Sequence, residues 1–297
     1  MAGDSVRDGR GSAAGRAQEP PSEGFRTWLR AALAFEPLRV PGPGAVLHNA
    51  ELAGADLSGA DLRAADLTGA SLVGARLHDV DLSSAIMTDI NLCQAELWRA
   101  DLSDATLDDA NLYAADLSGA NLVRAQLFNA HLAGARLRDT RLPESDLRYA
   151  LLTGAAMDGA DLRRAQLCGA VLAGATLRGG ALARADLSQA YITSADLTGA
   201  DLSRATLDHA CLAAAVLVDG DFTGAGLAHA DLTDADLTGA RLDGADLIGV
   251  SWSLRTEWPA HLYMDIRSRS EEVGPGVFRI VGADSRLEEL PREPVLT

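Results

Sequence analysis

The chain has 297 residues, a formal net charge of −16 and 26 basic residues, every one of them arginine. That balance argues against a nucleic-acid ligand and fits a basic protein partner. Aromatic residues make up 4%, too few for an ordinary globular core of this length, so the chain must bury something else.

In chain order, residues 1–24 are Gly, Ser, Ala, Arg and acidic residues with Pro20-Pro21, and read as a disordered tail. From Phe25 to Phe35 the spacing turns helical, with Phe25, Trp28, Leu29, Ala32 and Leu33 on one face and Pro37 as the stop. This element is expected to cap the first coil of the repeat that begins at Leu47, or to serve as a partner or dimer helix. Residues 38–46, with Pro41-Gly42-Pro43-Gly44, lead in.

From Leu47 to Trp252 every fifth residue is large and apolar, in 42 consecutive pentads of the form A-[D/N]-L-x-x. Leu fills nearly all of these slots, and Met87, Met157, Ile192, Phe222 and Trp252 replace it. Two residues before each sits a small one, as in Ala50, Ala55 and Ala60. Five is neither a helical nor a flat-strand period: a helix would spiral the leucines around its surface, and a straight strand would alternate them between faces. A chain that turns a corner once per pentad keeps Leu and Ala inward on every side. The corner chemistry agrees, because Leu57-Ser58-Gly59-Ala60 and Leu67-Thr68-Gly69-Ala70 put Gly where a type II turn needs positive φ. Four corners close a square coil. Stacked coils about 4.8 Å apart then give about ten coils and a rod about 50 Å long.

Ala55-Asp56-Leu57-Ser58-Gly59 and its neighbours resemble the pentapeptide-repeat family over about 70% of the chain. The resemblance implies an all-β, right-handed quadrilateral β-helix with Leu and the small residue inside. It also implies a rod about as wide as a DNA duplex. The best-understood members are acidic rods that imitate duplex DNA and bind type II topoisomerases, DNA gyrase above all. Some carry loops that break the repeat, and some dimerise through a C-terminal element. This repeat has no insertion, and its C-terminus carries only weak helix signals.

Deviations within the repeat single out several places. Val80, Ile90 and Val250 enlarge the small slot, while Gly180 and Gly220 empty it. At Thr140 and Ser145 two successive small slots become hydroxyl residues beside Pro143, the repeat's only proline. Glu144 stands where Gly suits a type II corner, so another turn type is expected there. From Asp79 to Ala114 the Gly position is never Gly, and that block is likewise expected to use other corners and to change cross-section.

Sorting outward residues by pentad assigns them to four faces. The face through Leu67, Met87 and Leu107 carries Asp66, Asp89, Asp108, Asp109, Asp146, Asp186, Asp208 and Asp246 against Arg148 alone, a net of −7. The next, through Leu72, Leu92 and Leu112, has only Glu51, Asp231 and Asp234. The third, through Leu57, Leu77 and Leu97, nets −4, and the fourth, through Leu62, Leu82 and Leu102, nets −1. The nearly uncharged face stacks Leu151, Val171, Tyr191 and Cys211 in one column and Val73, Cys93 and Tyr113 in another. This is either an interaction strip or ordinary ladder packing. Asp61, Asp81 and Asp101 stack on the fourth face and Asp89 over Asp109 on the acidic one. They read as phosphate surrogates, or as the family's usual Asp, hydrated and partly offset by Arg63, Arg124 and Arg163.

After Trp252 the register ends and Trp258-Pro259 breaks the chain. Asp265–Arg269 and Gly276–Gly282 are expected to form a β-hairpin covering the last coil, with alternation in Val277-Phe278-Arg279-Ile280-Val281 as support. Leu287–Leu290 has room for one helical turn. The expected layout is a tail over 1–24, helix and lead-in over 25–45, solenoid over 46–253 and cap over 254–297.

No catalytic constellation, phosphate loop or metal-ligand spacing is present, so no enzyme activity, cofactor or metal is expected. His209 and His229 stack beside Asp208, but a metal would need a third ligand, and two solvated histidines are the simpler reading. Cys93, Cys168 and Cys211 lie on separate coils, which points to a reducing compartment. With no signal-peptide core and no run of about 18 apolar residues, a cytoplasmic chain that does not touch a membrane is expected. Two functions stand out. One is an acidic DNA mimic that binds and modulates or protects a type II topoisomerase, DNA gyrase or topoisomerase IV, acting through Asp66, Asp89, Asp108, Asp109, Asp146 and Asp186. The other is a scaffold for another protein through Tyr113, Leu151, Val171 and Tyr191. Direct nucleic-acid binding is not expected; a homodimer is left open.

Overall fold

A computed structural model of the chain describes residues 41–281. The expected tail, the helix over 25–35 and the turn at Leu287–Leu290 lie outside the described residues. Within them, one five-residue unit repeats: a ladder residue, the inward Leu, two corner residues and the inward small residue. Each ladder residue pairs in parallel with the residue 20 positions on, as Asp56 with Arg76 and Asp61 with Asp81. Four corners per 20-residue step make a four-sided β-solenoid. Leu, its substitutes and the small residues are buried along its length, and Leu107, Met157, Phe222 and Trp252 are fully so. The core is a tube of stacked leucines and alanines, each Leu burial contributing about 2 kcal/mol.

Backbone bookkeeping explains the pentad. In the unit at Leu57, Leu57 N–H donates to Arg76 O (2.9 Å), Gly59 N–H to His78 O (2.9 Å) and Ala60 N–H to Leu57 O (3.1 Å), while Arg76 N–H donates to Ala55 O (2.9 Å). With Arg76 standing for the ladder amide of a unit that has a coil before it, four of the five amides in a pentad inside the stack find backbone carbonyls. The fifth, just after Leu, has none, and the Asp two residues before it supplies an acceptor: Ser58 N–H donates to Asp56 Oδ1 at 3.2 Å, and Ser58 Oγ donates to the same oxygen at 2.6 Å. The same side-chain turn recurs at Asp66/Thr68, Asp101/Ser103 and Asp221/Thr223. A short carboxylate or carboxamide before Leu thus satisfies the amide that the solenoid leaves over.

The corners differ from expectation. Asp79–Ala114 uses the same turn as the Gly-bearing pentads, with φ between +53° and +59° at the eight non-glycine positions, and Glu144 sits at φ +60°. The 20-residue ladder step continues unchanged through this block. The reason is that two backbone bonds hold each corner whatever residue occupies it. Asp104 N–H reaches Val123 O (3.0 Å) and Ala105 N–H closes on Leu102 O (3.1 Å). Together these outweigh a left-handed cost of about 1–2 kcal/mol for a side chain there.

The hydroxyl slots stay inward. Thr140 Oγ1 donates to Leu117 O (2.9 Å) and Ser145 Oγ to Leu142 O (2.7 Å), so both buried hydroxyls are satisfied. At Gly220 a Cβ would stand 2.9 Å from Phe222 Cε2, so the emptied small slot houses the larger ring.

Both ends of the repeat run a pentad past the Leu47–Trp252 register. Pro43-Gly44 already makes a corner, with Ala45 N–H on Gly42 O (3.1 Å). At the other end Ser253–Thr256 forms a corner with one residue inserted, so that Asp236 pairs with Glu257 rather than with residue 256. Trp258 then takes the inward slot. β1 (Ser251–Ser253) leads into this corner, and α1 (Tyr263–Ser268), β2 (Ser270–Gly274) and β3 (Val277–Ile280) follow Trp258 and complete the described chain. They build an antiparallel sheet in the order β1-β3-β2. The first expected strand, Asp265–Arg269, is therefore mostly helix α1, and its place in the hairpin is taken by Ser270–Gly274. Leu262 and Ile266 are both buried at helical spacing, and Arg269 bonds Asp265 one turn back, two ties that a strand could not make. The hairpin turn is Pro275-Gly276, with Gly276 at φ +69°. Trp252 stacks on Phe278 (centroids 4.7 Å apart), meets Trp258 and Tyr263 edge-on, and donates from Nε1 to Ser270 Oγ (2.9 Å).

Candidate protein-interaction faces

The solenoid brings the six candidate acidic residues to one face, in three columns. Asp66, Asp146 and Asp186 occupy the ladder column, Asp108 the column after Leu, and Asp89 and Asp109 the corner column. The ladder column is not a continuous row of carboxylates, since Ile86, Thr106 and Gln126 stand between Asp66 and Asp146.

Their electrostatic states differ. Asp66 accepts from Thr68 and lies 2.9 Å from His48 Nε2. Asp186 accepts from Ser188 N–H and Oγ. Asp146 is bound by Arg148 through both Nε and Nη2, which holds its carboxyl below the usual range and cancels its charge locally. Arg148 also lies over Phe128, and Phe128 meets Tyr149 edge-on, so an aromatic and basic island interrupts the acidic face. Burial pushes the Asp108 carboxyl up, Asp146 and Asp109 add to this, and the Phe128 N–H donating to it (3.0 Å) works the other way. That amide is the leftover one of its pentad, whose ladder residue is Gln126. Asp158 and Asp208 do the same for Arg178 and Ala228, where Thr176 and Gly226 replace the usual Asp. Asp109 accepts from Asn129 Nδ2 (2.7 Å) and is exposed, as is Asp89. Asp89 and Asp109 are thus the pair least committed to the backbone.

The neighbouring face joins Leu151, Val171 and Tyr191 in one parallel ladder column, continuing to Cys211. Leu151 is 41% exposed, Tyr191 57% and Tyr113 46%, while Val171 is half-buried between its neighbours. Tyr113 lies in the next column, tilted against His131 at 5.7 Å.

Of the arginines expected to offset the fourth-face aspartates, Arg63 bonds Asp61 and reaches Asp81 at 3.6 Å, Arg124 bonds Asp104, and Arg163 bonds Asp161. His209 and His229 stack at 5.0 Å, and no group of three or more metal-ligating side chains occurs among the described residues. Cys93, Cys168 and Cys211 are free thiols. Two further surface assemblies, one half-buried and one exposed, escaped sequence reasoning. One is His78 stacked on Trp98 at 4.6 Å with Arg99 beside it, legible only once residues 20 apart are set side by side. The other is the Phe128–Tyr149 pair. No helix among the described residues is long and apolar enough to cross a membrane.

A family profile described as pentapeptide repeats matches the chain in 8 copies, over residues 45–83, 85–122, 120–157, 145–182, 181–219 and 215–251. No curated protein matches the sequence. Among solved structures, HetL, a pentapeptide repeat protein involved in heterocyst differentiation regulation from the cyanobacterium Nostoc sp. strain PCC 7120, is 31% identical. That match covers 75% of this chain and 95% of HetL, with a TM-score of 0.28. Full-length QnrB1, a plasmid-mediated fluoroquinolone resistance protein, is 19% identical over 67% of this chain and 96% of its own, with a TM-score of 0.33. A pentapeptide repeat protein from the Arabidopsis thaliana thylakoid lumen is 31% identical over 34% of this chain and 70% of its own, with a TM-score of 0.33. With an unbroken pentad ladder and a profile match over most of its length, the chain belongs to the pentapeptide-repeat family.

Proposed function

We propose that this protein is a non-catalytic, cytoplasmic interaction rod that acts as an acidic DNA mimic on a type II topoisomerase, DNA gyrase or topoisomerase IV. The observation that carries the reading is the gathering of Asp66, Asp89, Asp108, Asp109 and Asp186 on one face of an uninterrupted ladder. A topoisomerase's DNA-binding saddle is basic, so complementary fields speed encounter and weaken with salt. The enzyme's chemistry is untouched and only occupancy of the saddle changes. Asp89 and Asp109 are the strongest phosphate surrogates, because their carboxylates are exposed and least used by the fold. Asp146, already paired with Arg148, contributes least.

In the test, purified protein is titrated into cognate gyrase supercoiling assays. Micromolar or lower concentrations should inhibit, more weakly as salt rises. Asp89→Asn with Asp109→Asn should reduce inhibition without lowering thermal stability, whereas removing the neutral pair together, Asp146→Asn with Arg148→Gln, should leave inhibition nearly intact. Normal supercoiling in excess protein at low salt would sink the proposal.

A second reading, a scaffold that holds another protein on its uncharged face, is favoured by the exposure of Tyr113, Leu151 and Tyr191 around Val171. On that reading Val171→Arg leaves the fold intact and weakens recovery of the partner from native cytosol. Unchanged recovery would reduce the strip to ladder packing.

A further inference from the structure

The fourth face changes sign along the rod. Around Leu62, Leu82 and Leu102 it carries Asp61, Asp81, Asp101 and Asp104 against Arg63, a net of −3. From Leu122 to Leu182 it carries Arg124, Arg141, Arg163, Arg164 and Arg184 against Glu144 and Asp161, a net of +3. Internal pairing uses only part of this charge. Arg63 binds Asp61, Arg124 binds Asp104, Arg163 binds Asp161, and Arg164 lies 3.3 Å from Glu144. Arg141 and Arg184 make no ion pair within 4.0 Å among the described residues. In the acidic stretch, among the described residues, Asp101 accepts only from Ser103 and Asn121, and Asp81 from Ser83 with Arg63 3.6 Å away. Arg164 and Arg184 stand exposed on adjacent coils at left-handed corners, φ +59° and +62°, one ladder step apart.

We propose that the fourth face is a self-complementary docking surface on which a second copy of the chain lies antiparallel, acidic stretch against basic stretch. Three observations select this occupant. Both halves of the complement lie on one chain, so a two-fold axis across the rod near the coil of Leu122 closes the contact isologously. The charges of both copies repeat at the same coil spacing of about 4.8 Å, so every ladder step meets a matching step. The pairing also keeps the face of net −7 and the face of net −4 turned away from the contact, whereas a parallel arrangement would set like charge on like. Such a contact is steered by charge and is salt-sensitive. It does not depend on the topoisomerase reading, because it uses neither the acidic nor the uncharged face.

The experiment is sedimentation equilibrium of the full chain at about 20 mM and about 500 mM salt. The parent should show a dimer at low salt that dissociates at high salt. Arg164→Glu with Arg184→Glu should raise the dimer Kd at least about tenfold at low salt. Asp81→Asn with Asp101→Asn, which keeps the side-chain acceptor for Ser83 and Ser103, should weaken the dimer in the same direction. Asp81→Arg with Asp101→Arg should be monomeric alone and should form a heterodimer when mixed with the Arg164→Glu, Arg184→Glu chain. A parent that is monomeric at low salt, a dimer that persists at high salt, or a dimer indifferent to the arginine reversals overturns the proposal. Gyrase inhibition plays no part in this readout, so the two readings fail separately.

Discussion

Ala64, Ala114 and Ala214 occupy corner positions at φ +53°, +53° and +56°, with no side-chain atom beyond Cβ to make a compensating bond. A left-handed Cβ costs about 1–2 kcal/mol. Glycine removes that cost but adds about 0.5–1 kcal/mol of backbone freedom to be lost on folding. Each Ala→Gly change should therefore stabilise by about 0.5 kcal/mol, and the triple variant by about 1.5 kcal/mol, because the sites are coils apart and additive. With about 2.1 cal/mol/K per residue of unfolding entropy over about 240 residues, the triple change should raise Tm by about 3 °C. Differential scanning calorimetry of the parent, three single variants and the triple variant measures this directly. The sign is decisive: at an ordinary corner with negative φ the same changes would lower Tm by a similar amount. A fall in Tm would refute the corner assignment for the pentads that lack glycine.

Leu107→Ala, at a fully buried slot, should cost about 3–5 kcal/mol. Hydrogen exchange should show the loss concentrated in the flanking coils, since each coil contacts mainly its neighbours. The two kinds of carboxylate should respond oppositely to pH. Asp161 is held below the usual range, chiefly by its hydrogen bonds from Arg163, so it stabilises the fold above the ordinary Asp value of about 4 and ceases to as pH falls through its lower folded value. Asp161→Asn should therefore be less stable than the parent at pH 7, with the gap closing in acid. Asp108 is pushed up by burial, so its charged form costs stability above the folded value and nothing below the ordinary one. Asp108→Asn, which keeps an acceptor for Phe128 N–H, should be the more stable chain at pH 7 and lose that advantage as pH falls. Urea unfolding across the pH range checks both.

The repeat's inward slots, its period of 20 and the membership of each face were legible because one arithmetic rule, position modulo five and then modulo four, assigns every side chain. What that rule could not supply is a side chain's state. Asp146 and Asp186 look alike in the pentad, yet Arg148 neutralises one and Ser188 hydrogen-bonds the other. The role of the Asp slot was missed because Asp, abundant and outward, reads as solvent-facing charge. It takes the count of amides in one coil to see that Ser58 N–H needs Asp56. The corners of Asp79–Ala114 were misread for a related reason. Residue preference for positive φ is a weak term beside the two backbone bonds of the corner, one to the next coil and one across the turn, and only the former is visible in sequence. Asp265–Arg269 failed as a strand because five residues are little more than one helical turn, and burial of Leu262 and Ile266 at a spacing of four settled the segment as helix α1.

Gly220 and Phe222 give the rod a grammar that single positions do not have. The ring of Phe222 fills the space where a Cβ on residue 220 would stand, so the two residues work as one unit and neither can change size alone. If pentads were exchanged between copies of this repeat, a crossover falling between residues 220 and 222 would join Gly to Leu, leaving a hole, or Ala to Phe, forcing a collision. Exchanges at the corner bonds, such as between Thr223 and Gly224, keep each inward pair whole. The seams along which this chain can be recombined therefore lie on its outside, at the corners, and not within the Ala-Asp-Leu triplet by which the repeat is recognised.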